Sequence, residues 1–265
     1  MESMVKTITK LVVGIAALLW SSVAHSTPIP EALEPCGTVL VDKALSGDEL
    51  LAADGSRLLL AAVKAPEIWQ PTDQYRSWPH AEKSRQLLER LAAGHSLSLY
   101  CEGETQTFDG RKIAHTLTET GDWLQHELVT QGSVLLLPRA KHQSGLDVLR
   151  AAEDIARQEK LGLWSELELE ITADADIPTG RLAIVTGKVL NAARSGNRIF
   201  LNFGDDWRKD FTAEIPARVI RLFKKNGIDP LELQGLTIEV RGWVTWRGGP
   251  HMLVEGPGQI RLLSD

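Results

Sequence analysis

The chain has 265 residues, 43% of them hydrophobic and 24% charged, and a net charge of -6. The length fits two globular units, and the composition excludes a collagen-like, largely disordered or polytopic membrane protein. The acidic balance excludes coating of nucleic acid by bulk positive charge and leaves room for a local basic site only.

Residues 1–26 read as an export signal: Lys6 and Lys10 precede the apolar run Leu11 to Trp20, and Ser22-Val23-Ala24 and Ala24-His25-Ser26 offer small residues for cleavage. The apolar run is shorter than the roughly 20 residues that span a bilayer. A periplasmic or secreted protein with no transmembrane segment after signal removal is therefore expected. Cys36 and Cys101 are the only cysteines, and in an oxidising compartment such a pair is expected as a disulfide. The seven histidines are scattered without metal-ligand spacing, so no transition-metal centre is expected.

Gly37 to Ala44, Glu49 to Ala53 and Arg57 to Val63 are predicted as strands, the last two joined by the hairpin signal Asp54-Gly55. Leu87, Leu88 and Leu91 give helical spacing to Ala81 to Ala93, which Gly94 can close. Strands Leu97 to Cys101 and Ile113 to Leu117 flank a turn at Gly110, and helical patterns follow at Trp123 to Thr130 and Asp147 to Lys160. Five short strands with a helix between the third and fourth is the order of an OB-fold barrel. In that barrel the strands carrying Cys36 and Cys101 are neighbours, which predicts a bonded pair with Cα atoms less than about 7 Å apart.

Residues 166–177 carry five acids and no base before Pro178 and read as a linker, although Glu166, Glu168 and Glu170 also fit a short edge strand. Beyond it, strands are predicted at Leu182 to Leu190, Arg198 to Phe203, Phe211 to Glu214, Thr237 to Trp243 and Met252 to Glu255, with a helix at Ala217 to Lys225. The expected fold is mainly β with helices (α+β): two tandem five-stranded OB-fold barrels, over 36–165 and 178–265.

Ser46-Gly47-Asp48-Glu49, Asp54-Gly55, Leu58-Leu59-Leu60-Ala61-Ala62-Val63-Lys64-Ala65-Pro66-Glu67, Phe108-Asp109-Gly110-Arg111, Val129-Thr130-Gln131-Gly132 and Gly162-Leu163-Trp164 follow one another at separations that resemble the staphylococcal nuclease (thermonuclease) family. The resemblance covers roughly residues 36 to 165. It implies phosphodiester cleavage with one calcium ion, a water-activating carboxylate and two arginines on the phosphate, a division of labour that places fixed charge where the transition state develops it. Carried over by motif, Asp48 falls on the first calcium carboxylate, Glu67 on the water-activating glutamate and Arg111 on the second arginine.

Two positions depart from the family pattern Arg-Leu-x-Gly-Ile-Asp-Ala-Pro-Glu. Counting back from Glu67 puts Lys64 at the second calcium carboxylate and Leu59 at the first arginine. The family's two nucleotide-flanking tyrosines fall at Pro138 and Ala140. Exchanging a carboxylate for an ammonium changes the site by two charge units, each pair counting for roughly 4 kcal/mol at about 4 Å and an effective dielectric near 20. Asp48 is then a vestigial metal ligand. No cofactor is expected, or calcium if the family site is retained. Arg57, two residues before Leu59 on one strand face, could return a guanidinium through a bulge. The plainer expectation is that Arg57 points to the hairpin end, Leu59 faces Glu67, and Lys64 neutralises Glu67 or Asp48.

Trp69, Tyr75 and Trp78 crowd the following loop, and the stretches Asn202 to Phe211, with Trp207-Arg208, and Trp243 to Pro250, with Trp243 and Trp246-Arg247, set tryptophans beside arginines at turns. Both groups suit stacking with phosphate contact and equally suit packing onto a barrel. The expected function is an exported nuclease-derived module binding single-stranded nucleic acid or a nucleotide without calcium-dependent catalysis. Two alternatives are an active phosphodiesterase using Glu67, Arg111 and Arg57, and an envelope scaffold whose protein partners the sequence does not name.

Overall fold

A computed structural model describes residues 28–68, 77–103, 105–206 and 208–263. The signal-like segment, Trp69, Tyr75 and Trp207 lie outside these residues. In the N-terminal half the elements are β1 (Glu34–Ala44), β2 (Glu49–Ala52), β3 (Arg57–Leu60), β4 (Val63–Lys64), α1 (Ala81–Ala92), β5 (Ser96–Cys101), β6 (Lys112–Leu117), α2 (Leu124–Thr130), β7 (Leu135–Leu136), α3 (Leu146–Gln158) and α4 (Leu163–Glu166). Five strands close a barrel in the order β1-β2-β3-β6-β5, antiparallel except for β3 with β6, which fits an OB fold. Alternation along the strands sends Val39, Val41, Leu58, Leu60, Leu97, Leu99 and Ala114 inward. Leu87, Leu88 and Ala92 of α1 pack on them, and Gly94 at φ 79° turns the chain back into β5.

Pairing of β1 with β5 sets Glu34 opposite Cys101, with a register shift around Cys36. Cys36 and Cys101 form a disulfide with Cα atoms 5.8 Å apart, inside the expected limit. One expected strand is broken: Arg57 to Val63 ends at Leu60, and Ala61-Ala62 make a turn with Ala62 at φ 64°. Left-handed backbone costs a non-glycine residue roughly 1–2 kcal/mol. It is held there because the Ala61 N–H donates to Ala114 O and the Leu137 N–H donates to Ala62 O, both at 2.9 Å. The turn re-aims Val63-Lys64, which pairs with β7 as Val63 opposite Leu136 and Lys64 opposite Leu135.

The C-terminal half contains β8 (Glu170–Thr172), β9 (Arg181–Lys188), β10 (Asn191–Ser195), β11 (Arg198–Asn202), β12 (Thr212–Ile215), α5 (Ala217–Lys225), β13 (Thr237–Trp246), β14 (Pro250–Leu253) and β15 (Ile260–Leu262). These strands form one eight-stranded sheet rather than five, in the order β10-β11-β12-β14-β13-β9-β8 with β15 also on β13. Part of the expected linker is β8, an edge strand parallel to β9, which explains the charge alternation there. The expected strand Leu182 to Leu190 ends at Lys188, and polar, largely exposed β10 follows it. No helix among the described residues is long and apolar enough to cross a membrane. That observation and the disulfide are compatible with export.

The two halves are joined through β13 and α3. Alternation sends Ile238, Val240 and Val244 into the C-terminal core and turns Glu239, Arg241 and Trp243 toward the first barrel. Buried Arg241 donates from Nη1 to Glu153 Oε2 at 2.7 Å and to Leu136 O at 3.0 Å, and it also pairs with Glu239. Glu153 Oε1 accepts the Leu136 N–H at 2.7 Å. Burial opposes the charge of Glu239, but Arg241 and Arg157 outweigh it and hold the carboxyl down to about 2.

Candidate functional site

The site begins at the bend before β2. At Gly47 a Cβ would fall 1.8 Å from Ser84 Oγ of α1, so only glycine lets this bend lie against the helix. The bend turns Asp48 inward, where its Oδ1 accepts a hydrogen bond from Ser46 Oγ at 2.6 Å and its carbonyl accepts the Leu60 N–H at 2.9 Å. Asp48 Oδ2 is buried without a hydrogen bond. In the adjoining sheet Glu49 lies opposite Leu59, and Leu59 opposite Ile113. Strand alternation therefore places Glu49, Arg57, Leu59 and Ile113 on one face, with Arg111 at its rim. Leu59, Ala61 and Ile113 form a small apolar floor.

Above that floor the charges are paired. Lys64 Nζ lies 2.6 Å from Glu67 Oε1 and 3.5 Å from Asp48 Oδ2. Burial works against its charge, yet the two carboxylates outweigh that effect and hold the ammonium above the usual lysine range. Arg57 does not run to the hairpin end as expected. It folds back along its strand so that Nε meets Glu49 Oε1 at 2.6 Å, a diagonal cross-strand contact. Arg111 reaches the same carboxylate, Nη1 to Oε2 at 3.4 Å, and is held from the other side by Asp109 at 3.0 Å. Both guanidiniums thus converge on Glu49, in the cleft that Glu67 also lines.

A calcium ion needs several oxygen ligands around it. Here the ammonium of Lys64 occupies the approach to both Asp48 and Glu67. Among the described residues no group of three or more His, Cys, Asp or Glu side chains is placed to hold a metal. The donor set does not fit calcium. Ala62, which stands where the family pattern has glycine, adopts the positive φ that glycine would favour. That coincidence supports the count that puts Lys64 at the ligand position.

The cleft has a volume of about 510 Å³ and draws on both halves of the chain. Arg139 and His142 line it from the first half, and Trp243 and Glu255 from the second. The turn after β14 covers Pro138 and Ala140: a Cβ at Gly258 would fall 2.8 Å from Pro138 Cγ, and one at Gly256 2.9 Å from Ala140 Cα and N. Arg150 Nη2 donates to Gly258 O at 2.6 Å and secures the turn. Because the obstacle at Gly256 is backbone, which cannot rotate away, Gly256→Ala is expected to cost about 1–3 kcal/mol. Urea unfolding checks this, and a cost below about 0.5 kcal/mol would contradict the close approach.

Of the other residues singled out from sequence, Trp78 packs its ring 5.8 Å from that of Trp243. Trp246 is exposed at the end of β13. The Arg208 N–H donates to Asp206 Oδ1 at 3.1 Å within its turn. Arg247 enters a different hollow, of about 550 Å³, on the outer face of the C-terminal sheet. There buried Glu214 gathers Arg198 at 2.5 Å, Arg247 at 2.8 Å and His251 at 3.0 Å. The reading from sequence gave no role to Glu49, Arg139 and Glu255 in the cleft, and it took Trp243 only as part of a tryptophan- and arginine-bearing turn. Of the first three only Glu49 carried a local signal, a charged residue at the start of an otherwise apolar strand.

A family model described as staphylococcal nuclease homologue matches residues 57–166. No curated protein matches the chain. The matched segment contains Arg57, Lys64, Glu67 and Arg111, whose side chains line one cleft on an OB-type barrel. Over residues 57–166, the chain is similar to staphylococcal nuclease homologues.

Proposed function

We propose that this protein is an exported, nuclease-derived module that binds the phosphate backbone of single-stranded nucleic acid or a nucleotide and does not hydrolyse it with calcium. The observation that carries this reading is the ammonium of Lys64 set between Glu67 and Asp48. It neutralises the carboxylates that would otherwise repel a phosphate, and it replaces a mobile cation with a fixed one. Arg111 and Arg57 each spend only part of their five N–H donors on carboxylates, so both keep donors for phosphate oxygens. Exposed Arg139 adds a third guanidinium to the cleft. The C-terminal sheet is read as a second OB-like barrel, supported by the parallel pairing of β12 with β14, which parallels that of β3 with β6.

A second reading has its own support. Because Arg57 and Arg111 meet at Glu49 in the cleft that Glu67 also lines, a substrate phosphate that displaced Glu49 would find two guanidiniums in a cleft that also holds a carboxylate base. That arrangement is a metal-free phosphodiesterase. The two readings separate in one experiment on the full chain. Single-stranded DNA and RNA are incubated with calcium and with chelator, and binding is titrated across a salt series. The binding reading expects salt-sensitive affinity with no cleavage in either condition. Chelator-resistant cleavage lost in Arg57→Ala would replace it with the second reading, and calcium-dependent cleavage would overturn both.

A further inference from the structure

We propose that Trp243, a residue of the C-terminal sheet, is the surface on which a base of the ligand stacks when its phosphate lies at the arginine end of the cleft. The inference rests on the binding reading above and names the ligand form: a single strand with an unpaired base. Trp243 shares a strand face with Glu239 and Arg241, and the ion pairs of those two fix the register of β13 against the first barrel. The indole is therefore delivered to the cleft by a rigid element rather than a loop. Its ring is backed by Trp78 at 5.8 Å with the planes tilted by 55°.

Despite this packing Trp243 stays 38% exposed. It lines the 510 Å³ cleft and also a smaller hollow of about 190 Å³, which shares Leu137, Trp243 and Glu255 with the cleft. The two spaces adjoin at these three residues. An apolar plane held rigid between a charged cleft and a second hollow matches a ligand that is anionic at one point and flat and apolar next to it. Nucleic acid has that sequence of groups, phosphate then base. In a duplex each base is already stacked on both sides and its edge is paired, so an aromatic wall is useful chiefly to a single strand.

The test uses the full chain and a fluorescein-labelled oligothymidylate of about five nucleotides, within the site size known for such barrels. Anisotropy is measured across a salt series for the parent and for Trp243→Ala, Trp243→Phe and Arg111→Ala. Loss of one stacking partner is worth about 1–3 kcal/mol, so Trp243→Ala is expected to weaken binding roughly 5- to 150-fold. Its salt slope should match the parent's, and Trp243→Phe should recover most of the loss. Arg111→Ala should instead flatten the salt slope.

Parent binding with unchanged affinity in Trp243→Ala would overturn this inference and leave the binding reading standing. Absence of parent binding at low salt would remove both. Should Trp243→Ala fail to fold, photocrosslinking of the unmodified protein to an oligonucleotide bearing iodouridine decides the matter. A crosslink in the peptide containing Trp243 supports the proposal, and crosslinks confined to other peptides overturn it.

Discussion

Glu153→Ala is expected to destabilise the protein by about 3–5 kcal/mol, the usual cost of leaving one partner of a buried ion pair unpaired. Glu153 is fully buried on α3, and its carboxylate receives both the Arg241 guanidinium and the Leu136 N–H. Alanine would strip both donors of an acceptor. Glu239 remains beside Arg241 and limits the loss, so the lower end of the range is the expected value. In the double variant Glu153→Leu with Arg241→Met no charge of this pair is left exposed to the interior, and the combined cost should be smaller than that of either single truncation. Guanidinium unfolding of Glu153→Ala, of the single variants Glu153→Leu and Arg241→Met and of the double variant measures this. A Glu153→Ala cost below about 1 kcal/mol would show that the pair does not lock the halves together.

The consequence reaches the cleft by a short route. Leu136 pairs with Val63, and the next residue along β4 is Lys64. Loss of the Glu153 acceptor loosens the backbone that aims the ammonium, so binding affinity should fall along with stability. The same β13 strand that carries Arg241 carries Trp243. Interface, charge neutralisation and aromatic wall are thus one mechanical unit, and a variant that parts the halves should lose both ends of the cleft together.

The barrel was legible in the sequence because its signals are local. Asp54-Gly55 marks a hairpin, the Leu87, Leu88 and Leu91 spacing marks a helix face, and Gly94 and Gly110 sit where the backbone takes positive φ. The position of Lys64 beside Asp48 and Glu67 was also legible, since a count from one motif residue fixes where an unlike side chain must fall. Arg57 was misplaced for lack of its partner: Glu49 lies eight residues back, across a hairpin, and only the pairing register reveals the diagonal contact. Trp243 stood out in the sequence only as part of a turn rich in tryptophan and arginine, and its place in the cleft was hidden for a different reason. Alternating Glu239, Arg241 and Trp243 against Ile238 and Val240 reads as a solvated face over a core face. Glu239 and Arg241 are buried, and Trp243 is partly covered, because another part of the chain lies on that face, which no local pattern records.

Lys64→Asp is expected to turn a protein indifferent to calcium into one that calcium stabilises. In the parent, the ammonium lies within 3.5 Å of both Asp48 and Glu67, so an approaching dication would be repelled at the position of its own ligands. The substitution changes the site by two charge units, with each pair at about 4 Å counting for roughly 4 kcal/mol at an effective dielectric near 20. Three carboxylates would then face one another, an oxygen set of the kind calcium takes. Binding to the native state alone stabilises by about 2.7 kcal/mol when the ion is a hundredfold above its dissociation constant. Thermal melting in millimolar calcium and in chelator should therefore show no shift for the parent and an upward shift for Lys64→Asp, abolished when Asp48→Ala is added. Without calcium the variant should melt below the parent, because like charges are left facing each other in a buried bend. A calcium shift in the parent that disappears in Asp48→Ala would instead restore a metal-dependent nuclease. No shift in Lys64→Asp would mean that Asp48 and Glu67 do not converge on one ion, and the lysine would then be an internal salt-bridge partner rather than the replacement for a cation.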